Sequence, residues 1–123
     1  MEQKTILVVD DEPGNIDVIK NVLQDSYKIK AAISGSRALA AAAKLPAPDL
    51  ILLDIMMPEM DGYEVCRQLK ANPETRRIPV VFLSAKVTPD EQRRGMEMGA
   101  LAYLTKPVDP QSLLDTMEMV LSL

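Results

Sequence analysis

The chain contains no histidine and no tryptophan, and only one cysteine. Without histidine the commonest zinc sites are excluded. A lone Cys66 cannot close an internal disulfide, and it has no imidazole with which to form a Cys–His nucleophile. Its setting, Tyr63-Glu64-Val65-Cys66-Arg67-Gln68-Leu69, has helical character and puts Cys66 and Leu69 on one face, so it reads as a buried thiol. No apolar run approaches the roughly 20 residues of a membrane span. The N-terminal run Thr5 to Val9 is too short for a signal peptide and ends in acids. A soluble, cytoplasmic protein with no membrane contact is the expectation. The formal net charge of −4 lacks the basic excess of a nucleic-acid binder. The pairs Arg76–Arg77 and Arg93–Arg94 read as solvated helix ends, so no direct nucleic-acid contact is expected.

What is present fits one domain over residues 1–123. That length buries a core without disulfide or metal staples. The apolar fraction of 47% argues against disorder. Five short apolar runs have strand length: Ile6 to Val9, Tyr27 to Ala32, Leu50 to Leu53, Val80 to Leu83 and Leu101 to Leu104. Three are continuous aliphatic runs, as in central parallel strands covered on both faces. The second alternates, with Tyr27, Ile29 and Ala31 against Lys28 and Lys30, which suits an edge strand with one wet side.

Helical patterns fill the gaps. Ile16, Ile19, Val22 and Leu23 recur at helical spacing after Pro13, which suits a first turn. Ser36 to Leu45 is rich in alanine. Asp61 and Thr88 each precede a glutamate by three positions, a capping signature. Gly99 can end the fourth helix in a left-handed turn. Asp109-Pro110 opens a fifth, with Leu113, Leu114, Met117, Val120 and Leu121 as its apolar face. Strand–helix alternation five times over predicts an α/β fold with a parallel sheet and helices on both faces. No linker or repeat interrupts it. The last helix reaches the final residue, so no effector domain is expected within this chain.

The chemistry collects behind the strands. The first run leads to Asp10-Asp11, the third to Asp54, the fourth to Ser84 and the fifth to Lys106-Pro107. In a parallel sheet these carboxyl ends share one edge, where open α/β folds bind ligands. Three carboxylates so gathered repel one another unless a cation intervenes. With no soft-ligand cluster nearby, a hard cation with oxygen ligands such as Mg2+ fits best. Lys106 then answers a second negative group. A phosphoryl group is the natural candidate, with Ser84 donating to it. Each element has a plainer reading. Asp10-Asp11-Glu12 alone suits a helix N-terminus, and Lys106-Pro107 alone a surface turn. The coincidence at four strand ends carries the argument.

Val8-Val9-Asp10-Asp11-Glu12, Asp49 to Gly62 with Asp54-Ile55-Met56-Met57-Pro58 at its centre, Leu83-Ser84-Ala85 and Lys106-Pro107 resemble the motifs of response-regulator receiver domains. The resemblance covers essentially the whole chain. It implies a doubly wound, flavodoxin-like fold of five parallel strands in the order 2-1-3-4-5. It implies that Asp54 is the phosphoacceptor. Mg2+ is expected on Asp11, Asp54 and the backbone carbonyl of Met56, with Asp10 directly or through water. Lys106 pairs with the phosphate, Ser84 is the switch hydroxyl and Tyr103 the aromatic switch position. The Lys106–Pro107 peptide is expected to be cis. Met56 and Lys86 occupy the variable positions that tune hydrolysis. Gly62 lets the following loop turn closely and Pro58 stiffens it. Methionines 56, 57 and 60 suggest a soft-metal site only weakly, since carboxylates and no thiolate surround them.

The implied partners are a histidine kinase or histidine phosphotransfer protein and, through the helix 4–strand 5–helix 5 face, a downstream effector or a second copy. The implied protein is a switch with at most slow self-catalysed phosphotransfer and autodephosphorylation. Two rivals remain. An aspartyl-phosphate phosphohydrolase would place its nucleophile after the first strand with a second Asp two residues on, where this chain has Glu12. A receiver-like module that is never phosphorylated would usually lack an Asp or the Lys. The stretches 61–66 and 79–85 are also weakly similar to receivers joined to cyclic-dinucleotide enzymes.

Overall fold

The computed structural model describes residues 3–85 and 88–123. Ten elements alternate along the chain: β1 (Thr5–Val9), α1 (Pro13–Leu23), β2 (Lys28–Ala32), α2 (Gly35–Ala43), β3 (Leu50–Asp54), α3 (Gly62–Ala71), β4 (Val80–Ser84), α4 (Pro89–Glu97), β5 (Ala102–Thr105) and α5 (Pro110–Leu121). The strands form one parallel sheet in the order β2-β1-β3-β4-β5. The α/β class, the doubly wound layering and the strand order all match the expectation.

The two-residue period of the strands divides the core into two layers. Leu7, Val9, Ile51, Leu53, Val80 and Phe82 face one side and meet Val65, Cys66 and Leu69 of α3. Ile6, Val8, Leu50, Leu52, Val81 and Leu83 face the other and meet Ile16, Ile19 and Leu23 of α1 and Leu113, Met117 and Val120 of α5. Strands β3 and β4 are buried along their whole length, which is why their sequences are continuously apolar. The Cys66 thiol lies in the first layer, where burial pushes its pKa up. It is a core residue, as its sequence setting indicates.

The helix starts follow their sequence signals. The side chains of Asp61, Thr88 and Asp109 accept from the backbone N–H of Glu64, Glu91 and Ser112. Each satisfies a donor that the first helical turn leaves without a partner. Gly99 adopts φ +100° behind α4, the conformation expected there.

Four details differ from expectation. Helix α2 stops at Ala43, because Lys44 is extended and Leu45, preceding Pro46, is biased away from helical backbone. Strand β2 starts at Lys28 and β5 at Ala102, one residue later than each apolar run. Leu101 is spent on the turn after Gly99, and Thr105 extends β5 instead by pairing with Ser84. Ala31 is exposed although its alternation matches Ile29, since the α1–α5 layer reaches Tyr27 and Ile29 but not the end of this edge strand.

Candidate functional site

The carboxyl ends of β1, β3, β4 and β5 meet at one edge of the sheet. Asp10 follows β1 and is held by its backbone N–H to the carbonyl of Ala32 at 3.1 Å. Asp54 is the last residue of β3 and Ser84 the last of β4. The backbone N–H of Lys106 donates to the carbonyl of Ser84 at 2.8 Å, which fixes the lysine beside β4. The Lys106–Pro107 peptide is cis, as expected.

Carboxylate oxygens of Asp10, Asp11 and Asp54 lie within 4.8 Å of one another. Asp10 is 0% exposed and Asp54 2%, while Asp11 is the more open to solvent. The Lys106 ammonium donates to Asp10 Oδ2 at 2.8 Å and stands 3.1 Å from Asp54 Oδ1. Backbone amides complete the set: Glu12 N–H donates to Asp10 Oδ1 at 2.9 Å and Met56 N–H to Asp54 Oδ1 at 3.3 Å.

One ammonium thus faces three carboxylates, and the excess negative charge is the property that suits a divalent cation. Burial raises the Asp54 pKa to about 6, the hydrogen bond from Lys106 opposes that rise, and the charge of Asp10 adds to it. For Lys106, burial lowers the pKa, but the bonds to Asp10 and Asp54 outweigh it and the net shift is upward. The oxygen donor set fits Mg2+ and not a soft metal.

The loop between β3 and α3 turns back sharply onto Asp54. Gly62 N–H donates to the Ile55 carbonyl at 2.8 Å, and a Cβ on Gly62 would stand 2.4 Å from the Asp54 carbonyl oxygen. Only glycine fits there. The loop methionines divide. Met57 is buried and Met60 packs against the same core layer, whereas Met56 is 68% exposed. Met56 and Ser84 border a cleft of about 580 Å³ whose far wall carries Tyr63, Glu91 and Arg94. Lys86 lies outside the described residues.

That far wall was not legible as a site. Burial, then the hydrogen bond with Glu91, raise the Tyr63 pKa. The Tyr63 hydroxyl donates to the Glu91 carboxylate. The Arg94 guanidinium lies 4.0 Å from the centre of the Tyr63 ring. Arg94 is therefore engaged with an aromatic face and is not simply a solvated end; Arg93, beside it, pairs with Asp90. In sequence, Glu91 carries only a capping signal and Tyr63 only the period of α3. Tyr103, on β5 opposite Phe82, is half-buried on the same side of the sheet.

A doubly wound parallel sheet with an acidic cluster and one lysine at its carboxyl edge defines a class of signalling domain. The sequence model of the response regulator receiver domain matches residues 6–118, and the chain belongs to that family. It is 52% identical over 108 residues to a probable cyclic di-GMP phosphodiesterase of Vibrio cholerae, covering 88% of this chain and 24% of that protein. It is 36% identical over 118 residues to protein PilH of Pseudomonas aeruginosa, covering 95% of this chain and 97% of that one. Among solved structures, a putative response regulator from Chloroflexus aurantiacus superimposes with a TM-score of 0.92 at 32% identity, covering 99% of this chain and 100% of that chain. The chain thus spans about a quarter of the length of the first-named relative. The receiver domain is a switch-type signalling module and not itself a conventional enzyme, which removes the phosphohydrolase reading of this domain.

Among the described residues, no helix is long and apolar enough to cross a membrane.

Proposed function

We propose that Asp54 is the phosphoacceptor of this receiver, with Mg2+ as its cofactor. The observation that carries the reading is the position of Asp54: buried at the end of β3, 3.1 Å from the Lys106 ammonium and clustered with Asp10 and Asp11. Asp11, Asp54 and the Met56 carbonyl would hold Mg2+, with Asp10 directly or through a bound water. When bound, the metal supplies charge neutralisation at the transferring phosphoryl oxygens.

The donor is a phosphohistidine on a histidine kinase or phosphotransfer protein. A carboxylate oxygen of Asp54 attacks phosphorus in line. The new P–O bond forms as the P–N bond breaks, and the bonding pair leaves with the imidazole. Lys106 neutralises charge on the transferred group. Ser84 then donates to a phosphoryl oxygen, Tyr103 occupies the inward position, and the α4–β5–α5 face favours a downstream effector or a second copy. Met56 and Lys86, at the variable positions of the family's motifs, tune its hydrolysis. Residues 1–123 act as one receiver unit, in the cytoplasm, without direct contact to nucleic acid or membrane.

The test is acid-labile labelling from acetyl phosphate with Mg2+. Asp54→Asn should abolish it, and Asp10→Asn or Asp11→Asn should weaken its Mg2+ dependence. Full labelling of the Asp54→Asn protein would sink the assignment, and failure to label the wild type would favour a receiver-like module that is never phosphorylated.

A further inference from the structure

The methionines of this chain differ widely in access. Met57 and Met117 are buried, and Met60 and Met98 are half-buried. Met96 of α4 and Met119 of α5 are 50% and 53% exposed. Met56, at 68%, is the most open methionine among the described residues. It is also the one rooted at the phosphoacceptor. Its backbone N–H donates to Asp54 Oδ1 at 3.3 Å, and it borders the same cleft as Ser84. A thioether so placed is within reach of oxidants carried by water. A neutral peroxide is not turned away by the acidic edge of Asp10, Asp11 and Asp54. The one thiol, Cys66, is wholly buried, so it does not compete for the oxidant.

We propose that Met56 is an oxidation site whose sulfoxide shortens the life of the phosphoryl group on Asp54. The inference rests on the reading of Asp54 as phosphoacceptor and of Met56 as a residue that tunes its hydrolysis. The step is a two-electron oxidation with a peroxide as oxidant. The thioether sulfur attacks one peroxide oxygen; an S–O bond forms as the O–O bond breaks. The departing hydroxide takes the proton of the transferred hydroxyl, so the products are the sulfoxide and water. This inverts the chemistry of the side chain. A thioether neither donates nor strongly accepts hydrogen bonds. A sulfoxide is polar, and its oxygen accepts them. The water that hydrolyses an acyl phosphate must give up a proton, and an acceptor beside it orients its lone pair toward phosphorus. The unbranched, flexible methionine side chain lets that oxygen reach the attacking water. Methionine sulfoxide is enzymatically reducible, so the change is reversible and the lifetime of the phosphorylated state follows the redox state of one sulfur.

The protein is treated with dilute hydrogen peroxide, freed of it, labelled from acetyl phosphate with Mg2+ and followed for phosphate release. Peptide masses report oxidation at Met56, Met96 and Met119, and each protein is compared with its own untreated sample. Oxidised wild type should release phosphate about fivefold faster, the scale of one positioned hydrogen bond. Met56→Leu, still oxidised at Met96 and Met119, should show no acceleration. Methionine sulfoxide reductases for both epimers should return wild type to its starting rate. The proposal is overturned if Met56 stays unoxidised while Met96 and Met119 react. It is overturned equally if Met56-oxidised protein fails to label or releases phosphate no faster, or if Met56→Leu accelerates as much as wild type. Untreated wild type that takes no label at Asp54 overturns the phosphoacceptor reading instead. Should Met56→Asn speed release and the sulfoxide not, the tuning role stands and the oxidation site falls.

Discussion

The ammonium of Lys106 lies 2.8 Å from Oδ2 of Asp10, a residue 96 positions earlier in the chain and wholly buried. The pair closes the two ends of the domain over the acidic edge. It also gives Asp10 a cation before any phosphoryl group or metal arrives.

Removal of that cation should therefore be costly. Lys106→Ala leaves Asp10 and Asp54 buried side by side with no counter-charge among the described residues. Breaking a buried pair this way costs up to about 3 kcal/mol once proton uptake by one carboxylate is allowed for. The expected result is a lower urea midpoint in EDTA, largely restored by excess Mg2+. An unchanged midpoint in EDTA would show that the pair does little for the fold. Arginine should substitute poorly, since its planar fork does not replace a point charge.

The raised Asp54 pKa gives a pH dependence with a definite sign. The folded carboxyl titrates near about 6, above its ordinary 3.8. Between those values the folded protein holds a proton that the unfolded chain has released. Metal-free stability should therefore fall as pH rises through this window, by at most about 3 kcal/mol. Urea unfolding in EDTA at several pH values checks it, with Asp54→Asn as the reference. Subtracting the variant removes the other carboxyls, such as Glu64, whose pKa is lowered to about 2 by Arg67. Mg2+ binding should weaken as pH drops through the same range, because proton and metal compete for Asp54.

Met56 borders the cleft and is 68% exposed, so it is not consumed by packing in the loop. A thioether neither donates nor strongly accepts hydrogen bonds. Lying over the phosphoryl group, it would exclude the water needed for in-line hydrolysis. Met56→Asn should release phosphate faster, by about tenfold if its amide orients one water. Equal or slower release under saturating Mg2+ would dispose of the idea.

Gly62 is the tightest backbone contact at the site. Gly62→Ala places a Cβ against the Asp54 carbonyl, which is backbone and has nowhere to yield. Overpacking of this kind costs about 1–3 kcal/mol. The urea midpoint should fall, and labelling of Asp54 should slow because the β3–α3 loop is pushed off the phosphoacceptor. A stable Ala variant that labels normally would mean the loop adjusts freely.

Much of this protein is written between neighbours in the chain. The continuous runs Leu50 to Leu53 and Val80 to Leu83 determined the central strands, because burial on both faces demands aliphatic side chains without alternation. Asp61, Thr88 and Asp109 fixed three helix starts through bonds spanning three residues. Asp10, Asp11, Asp54, Ser84 and Lys106 were legible as a group because parallel strands bring their carboxyl ends to one edge, whatever the rotamers. The strand order came from family resemblance, since alternation alone permits other orders.

Tertiary structure decided the rest. It split the loop methionines, burying Met57, packing half-buried Met60 against the core and exposing Met56, which nothing in their shared chemistry distinguishes. It engaged Arg94 with the Tyr63 ring while its neighbour Arg93 paired with Asp90. It bonded Tyr63 of α3 to Glu91 of α4 and brought the rings of Tyr63, Phe82 and Tyr103 together from three elements. Periodicity and capping are governed by residues a few positions apart, so a sequence displays them. Contacts between β4, β5, α3 and α4 depend on sheet register, helix rotation and the rotamer of each ring together, and those are set only when the layers pack.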